Sequence, residues 1–251
     1  MRFSACIEWL FAAEAPNFAD RIRAAKAAGL DGVEFWRYSK RDLDQVRAAL
    51  DETGLTLTAI LCEPISPLTS PQSHAWFLEG VRASLAAAQK LGAGVIIAQA
   101  GDDLPGVARA RQHAAIVDVL RRAADILTGT GVTLALEPLN DRVDHPGYYL
   151  TSTTEGLDII DEVGRPEIRL LYDIYHAAVM GEPIDLLDGR LDRVVHVHLA
   201  DAPGRNQPGS GTMHYAERLE WLVSHGYSGF VGLEYRPTGS TTDSLSFRDA
   251  L

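Results

Sequence analysis

"VVHVHLAD", Val194 to Asp201, is one of eight short runs rich in branched and aromatic residues, and what lies between those runs decides the fold. The others are "FSACIEW", "GVEFW", "LTLTAILCE", "AGVIIAQAG", "VTLALEPLN", "RLLYDIYH" and "FVGLEYRP". Each reads as a strand. Helical stretches separate them. "NFADRIRAAKAAGL" sets Phe18, Ile22, Ala25 and Gly29 at helical spacing, with Asn17 placed to cap the start and Gly29 to end it. In "SKRDLDQVRAALDETG", Ser39 with Asp42 three residues on resembles a capping box, Leu43, Val46 and Leu50 form the apolar stripe, and Gly54 follows the end. Further stripes are Phe77, Val81, Leu85 and Leu91; then Ile116, Leu120, Ala124 and Leu127; then Leu157, Ile160 and Val163. Leu187 with Leu191 suggests a short sixth helix, Leu219 with Leu222 a seventh, and "SLSFRDAL" a short eighth.

Strands alternating with helices imply parallel pairing through right-handed crossovers. Eight such units in 251 residues fit a closed (β/α)8 barrel, an α/β fold, better than an open doubly wound sheet. No stretch has linker composition, so residues 1–251 are expected to form a single barrel domain. No Gly-rich phosphate loop follows the first strand. "PGRNQPGSG" and "RPTGSTTD" both follow strands and read as loops of the active face.

The formal net charge is −11, from 34 acidic and 23 basic residues, and no Lys/Arg-rich run occurs. A surface that tracks phosphates is therefore not expected, and nucleic acid is excluded as a first partner. Cys6 and Cys62 lack a CxxC pattern and read as free thiols in a reducing compartment. The N-terminal stretch is interrupted by Glu8 and Glu14 and fits neither a signal peptide nor a membrane span. The expectation is a cytoplasmic protein with no membrane partner.

Polar residues end the last four strands. Strand five ends in Glu137, strand six in Asp173 and His176, strand seven in His198 and strand eight in Glu234. In a barrel the C-terminal strand ends are neighbours on one rim, so these side chains can converge. Three carboxylates and an imidazole massed there would repel one another without a cation. One divalent metal ion resolves the conflict, and oxygen-rich ligation with one histidine suits Mg2+ or Mn2+, with Co2+ or Zn2+ as further candidates. His196 shares a face with His198, one layer deeper, and reads as a core histidine rather than a ligand. Glu8, Glu34 and Glu63 are either buried acids with partners or groups that orient ligands. His145 and Arg205 fall on loops of the active face.

"LALEPLN", "RVDHPGYYL", "LLYDIYHAAVM", "HVHLADAPGR" and "GYSGFVGLEYRP" follow one another in this order over most of the chain. In these motifs the sequence resembles the hydroxypyruvate isomerase-like branch of the xylose isomerase-like TIM barrels, which also contains ketose 3-epimerases. The resemblance implies Glu137, Asp173, His198 and Glu234 as metal ligands. It implies Glu137 and Glu234 as the two opposed catalytic acids, and His176 and Arg205 as the groups that hold substrate. Hydroxypyruvate isomerases often carry glutamine at the position of His198, whereas the epimerases carry histidine. Many relatives read "PGRHEP" where this chain has "PGRNQP", so a charge beside the substrate is missing at Asn206 and Gln207.

The expected activity is a divalent-metal-dependent isomerisation of a small 2-hydroxycarbonyl compound or sugar, by proton transfer through an enediolate carried by two glutamates. Epimerisation at the third carbon of a ketose on the same site is the alternative. A nuclease on the same barrel would need a basic groove and more histidines near the strand ends. A metal- or sugar-binding barrel without catalysis is a reading of another class. A homo-oligomer is also compatible with the apolar residues of the long loops.

Overall fold

Eight parallel strands pair in chain order and close, the first against the last. They are β1 (Arg2–Cys6), β2 (Gly32–Phe35), β3 (Thr56–Leu61), β4 (Val95–Gln99), β5 (Thr133–Glu137), β6 (Ile168–Asp173), β7 (Val194–Leu199) and β8 (Phe230–Leu233). The helices are α1 (Phe18–Ala27), α2 (Leu43–Thr53), α3 (His74–Leu91), α4 (Arg109–Leu127), α5 (Thr153–Val163), α6 (Ile174–Met180), α7 (Tyr215–Ser224) and α8 (Thr241–Ser244). This computed structural model describes residues 1–250; Leu251, the last residue of the expected domain and eighth helix, lies outside the described residues. All eight strand runs are strands, because each is an apolar run that can be covered by barrel interior on one side and helices on the other.

The outward faces of the strands and the stripes of the helices make one large apolar layer that includes Val33, Ile96, Leu136, Leu170, Val197 and Val231. Inside the barrel the packing is divided. Ala59, Leu61, Val95, Ile97, Ala135 and Leu171, from β3 to β6, form a small dry cluster of their own. Around β1, β2 and β7 the interior is polar instead, with Ser4, Glu34 and His196 buried. Thr58 joins them because the β2–β3 register shifts between Val33 and Phe35. That bulge lets the Thr58 hydroxyl reach Glu34, 3.0 Å away.

Three local expectations need correction. Asp42, not Ser39, caps α2: its carboxylate accepts from the N–H groups of Asp44 at 3.0 Å and Gln45 at 3.1 Å. Ser39 lies in a separate 3-10 turn, Tyr38–Lys40, and its N–H and hydroxyl both go to Glu63. The crossover after β6 is not one helix through Leu187 and Leu191, which fall on 3-10 turns. Its helix begins at once after the strand and stops at Gly181, in the left-handed region at φ 79°, with Pro183 just beyond. His176 is consequently in the first turn of α6 rather than on β6, and its N–H is capped by Asp173 at 2.9 Å. The eighth helix is one turn, Thr241–Ser244, followed by a 3-10 segment, Ser246–Ala250. No described helix is long and apolar enough to cross a membrane.

The corrected cap is testable. Asp42→Ala should cost about 1 kcal/mol in denaturant unfolding, the usual worth of an N-cap carboxylate. Ser39→Ala should leave α2 intact, because the N–H and hydroxyl of Ser39 bond to Glu63 and not to the start of that helix.

Candidate active site and metal centre

The ends of β5 to β8 deliver the cluster. Glu137 and Asp173 are the last residues of their strands, and Asp173 stands in register with His198. Glu234 comes one residue after β8, held in line by a 3.1 Å hydrogen bond from its N–H to the Leu199 carbonyl. One ligand atom from each of Glu137, Asp173, His198 and Glu234 can be chosen so that all lie within 4.8 Å of one another. All four residues are buried. His198 Nδ1 is the centre of the group, 3.3 Å from Glu137, 3.6 Å from Glu234 and 3.8 Å from Asp173.

Charge makes this arrangement unstable by itself. Burial, opposed by His198 but reinforced by the charges of Glu234 and Asp173, pushes the Glu137 carboxyl up to about 7. Burial would lower His198, yet the carboxylates of Glu34 and Glu234 overcome it and hold the imidazole well above its ordinary range. Neither ring nitrogen of His198 makes a hydrogen bond of good geometry: Nε2 meets Glu34 as an ion pair at 2.9 Å, and Nδ1 faces the three carboxylates. Three oxygen donors and one orphaned imidazole nitrogen around a common point suit a divalent cation, which would neutralise most of the excess charge. The residues fit the ion.

Beneath the cluster, Glu34 decides the roles left open for His196 and for itself. Its Oε1 is 2.9 Å from His198 Nε2, and its Oε2 is 2.8 Å from His196 Nε2. The Ser4 and Thr58 hydroxyls also donate to Oε2, at 2.9 and 3.0 Å. Burial raises the carboxyl of Glu34, but the charges of His198 and His196 outweigh it and keep the group ionised. His196 is thus a hydrogen-bonded core histidine that shares a counter-charge with His198. Gly232 makes room: it pairs with His198 across the sheet, and a Cβ there would lie 2.5 Å from Glu34 Oε1.

Above the cluster, His176 presents a donor. Its Nδ1 accepts from the Asn140 backbone N–H at 3.0 Å and from Asn140 Nδ2 at 2.7 Å. The ring proton therefore sits on Nε2, which has no partner and lies 3.8 Å from Asp173. Burial and then the charge of Arg205 push its imidazolium down to about 2, so the ring is neutral. Glu234 is gripped at both oxygens, by Trp36 Nε1 at 2.7 Å and by the Arg205 guanidinium. The "PGRNQPGSG" loop that carries Arg205 is organised by buried Asp201, whose carboxylate accepts from the backbone N–H groups of Ala202, Gly209, Gly211 and Met213. A cavity of about 430 Å3 opens over the cluster, walled by Trp9, Trp36, Leu61 and Ile97.

His145 lines the same cavity. Glu8 and Glu63 are structural: Glu8 pairs with Arg41 at 2.5 Å, and Glu63 accepts from Ser39. Asn140, Trp36 and Asp201 were not singled out in the sequence. "LALEPLN" does place Asn140 three residues after Glu137, but an asparagine in a loop has no signature until its partner is known.

The sequence matches the xylose isomerase-like TIM barrel family over residues 22–251. The chain belongs to that family. Two relatives match over nearly the whole of both chains. Hydroxypyruvate isomerase of Escherichia coli is 31% identical over 99% of this chain and 98% of its own. The 2-oxo-tetronate isomerase of Cupriavidus necator is 31% identical over 98% and 96%. A crystal structure from Brucella melitensis, described as AP endonuclease, family 2, superposes with a TM-score of 0.92 at 30% identity, covering 99% of this chain and 98% of that one. Isomerases aligned from end to end make this member of the xylose isomerase-like barrels an isomerase-type enzyme rather than a non-catalytic binding barrel.

Two outcomes follow from the buried charges. Free of metal, the folded protein holds a proton on Glu137 between the ordinary carboxylate value of 4.5 and about 7, where the unfolded chain has released it. Stability of the metal-free protein should fall as pH rises through that window, and fall further above it as His198, held protonated by the carboxylates around it, also releases its proton. A divalent ion should reverse the trend, binding more tightly as pH rises through about 7 and beyond, because Glu137 and His198 must each give up a proton to ligate it, with the release visible by calorimetry in buffers of different ionisation heat. Gly232→Ala should cost about 1–3 kcal/mol in urea unfolding, because the added methyl displaces the Glu34 carboxylate.

Proposed function

We propose that this isomerase is divalent-metal-dependent and acts on a small 2-hydroxycarbonyl compound, in the manner of a hydroxypyruvate isomerase, with Glu137 and Glu234 as its proton carriers. The observation that carries the reading is the convergence of three buried carboxylates and the unpartnered His198 Nδ1 at one rim of the barrel. Glu137, Asp173, His198 and Glu234 would hold the ion. When bound, it supplies positive charge beside the substrate oxygens and so acidifies the neighbouring C–H bond.

The chain's own groups divide the remaining work. Glu137 has no neutral hydrogen-bond donor on its carboxylate and is the freer of the two acids to take a proton from carbon. Glu234 is fixed by Trp36 and Arg205, which aim its carboxylate and limit its movement. His176, neutral with its proton on Nε2, would donate to a substrate oxygen and need lose no proton to do so. The indoles of Trp9 and Trp36 and the side chains of Leu61 and Ile97 restrict water around the reacting carbons. A proton returned to the neighbouring carbon gives isomerisation. A proton returned to the opposite face of the same carbon gives epimerisation, which the presence of His198 in place of glutamine keeps in view.

A nuclease reading has less support. The net charge of −11 is opposed to phosphate tracking, and the two possible ligand groups among the described residues share His198, leaving one ion's worth of donors rather than a multi-metal centre.

The test is hydrogen exchange between hydroxypyruvate and D2O, followed by proton NMR with Mg2+ present. Glu137→Gln and Glu234→Gln should each slow exchange about 10^2- to 10^4-fold with the circular dichroism unchanged. A chelator should stop the wild-type reaction and added Mg2+ should restore it. Full activity in either variant, or turnover indifferent to chelator, would sink the two-glutamate, one-ion scheme.

A further inference from the structure

Arginines of this chain are paired almost throughout. Arg23, Arg165, Arg190 and Arg193 meet surface carboxylates, Arg205 meets Glu234, and Arg218 bonds Tyr172 and a backbone carbonyl. Among the described residues only Arg111 and Arg236 make neither a side-chain hydrogen bond nor an ion pair. Arg111 sits exposed on α4, away from the cavity. Arg236 lines the cavity itself.

The position of Arg236 is built. It lies two residues beyond Glu234, its N–H donates to the Arg205 carbonyl at 2.9 Å, and its carbonyl accepts from Asn206 Nδ2 at 2.8 Å. Gln207 fastens the same two loops, donating to the Thr238 hydroxyl at 2.7 Å and accepting from the Thr238 N–H at 3.1 Å. Asn206 and Gln207 therefore fasten the segment that carries Arg236. Its guanidinium lies over the indole of Trp9 with 4.7 Å to the ring centroid, while Arg205 is 5.2 Å from the same ring. An aromatic face orients a guanidinium without occupying its donors. The fork stays free at the mouth of the site.

Charge points the same way. In the depth of the cavity, a divalent ion and Arg205 together would cancel Glu137, Asp173 and Glu234. Asp144, the other lining acid, is engaged by Asn140 and by the Tyr175 hydroxyl. Arg37 adds a second cationic group to the lining, 3.8 Å from a Glu63 already committed to Ser39. A chain of net charge −11 repels anions at long range, so an unpaired Arg236 with Arg37 beside it at this opening selects for an anion locally.

We propose that Arg236 reads the charge of the substrate: it binds a carboxylate on the hydroxycarbonyl compound and makes the site prefer hydroxy-oxo acids to neutral ketoses of the same size. The inference rests on the isomerase reading above and adds to it the residue that selects the substrate's charge. The planar fork matches a carboxylate through two parallel hydrogen bonds, an interaction that a hydroxymethyl group cannot replace.

Hydroxypyruvate and dihydroxyacetone differ only in a carboxylate against a hydroxymethyl group, so they isolate the effect. Their dissociation constants for the Mg2+-loaded protein can be read from tryptophan fluorescence at low salt. Hydroxypyruvate should bind about 10- to 100-fold more tightly, as one charged hydrogen-bonded contact provides. Arg236→Gln should bring the two constants together, and Arg111→Gln should leave them apart. Equal affinities in the wild type, or a gap that survives Arg236→Gln, would overturn the assignment; tighter binding of dihydroxyacetone phosphate than of hydroxypyruvate would reassign the group to phosphate. Deuterium exchange separates the two levels. Exchange with converged wild-type affinities removes only the role of Arg236, whereas no exchange on either compound removes the isomerase reading as well.

Discussion

Three carboxylates that share one buried point cannot all stay ionised without a cation, and much of this barrel is arranged around that constraint. Glu137, Asp173 and Glu234 arrive on three different strands, so no local rearrangement can separate them while the barrel stays closed. His198 and Arg205 supply the positive groups the chain itself can offer. Each pairs with acids already present, which leaves Glu137 the carboxyl whose proton affinity absorbs the shortfall. A divalent ion held there would remove the shortfall and would place positive charge beside a substrate.

A fourth acid makes the first three tolerable. Glu34 sits below the cluster and faces two histidines, so His198 has one ring nitrogen held from beneath while the other faces the rim. Carboxylate support of this kind orients a ligating imidazole and raises its basicity. It also explains why half of the barrel interior is polar. The hydroxyls of Ser4 and Thr58, the bulge at Thr58 and the bare backbone of Gly232 all serve one buried carboxylate. The dry half, from β3 to β6, needs no such provision and packs as small aliphatic side chains.

Much of this was legible in the residues. Apolar runs of strand length alternate with helical stripes, and the barrel follows because parallel strands need covered crossovers. The polar residues at the ends of the last four strands stood out because an ionisable side chain closing an apolar run needs a partner. The misreadings have local causes. His176 looked like a strand residue because "LLYDIYH" is apolar up to it, but Asp173 caps a helix three residues earlier. Ser39 and Asp42 have capping-box spacing, yet Glu63, distant in sequence, takes the serine. The amides of "PGRNQP" also have a role the sequence did not disclose: they tie down the loop that presents Arg236.

From the sequence alone came the number and order of the strands, the acids and histidines at their ends, and the family they resemble, because period, capping and residue chemistry are properties of short segments. Only the tertiary structure decided what each of the two histidines in "VVHVHLAD" meets. His196 turns to Glu34, and His198 stands between Glu34 and the three carboxylates. Strand periodicity puts both rings on one face and cannot say what that face meets. The partners come from β2, β5, β6 and the end of β8, and they meet only when the barrel closes.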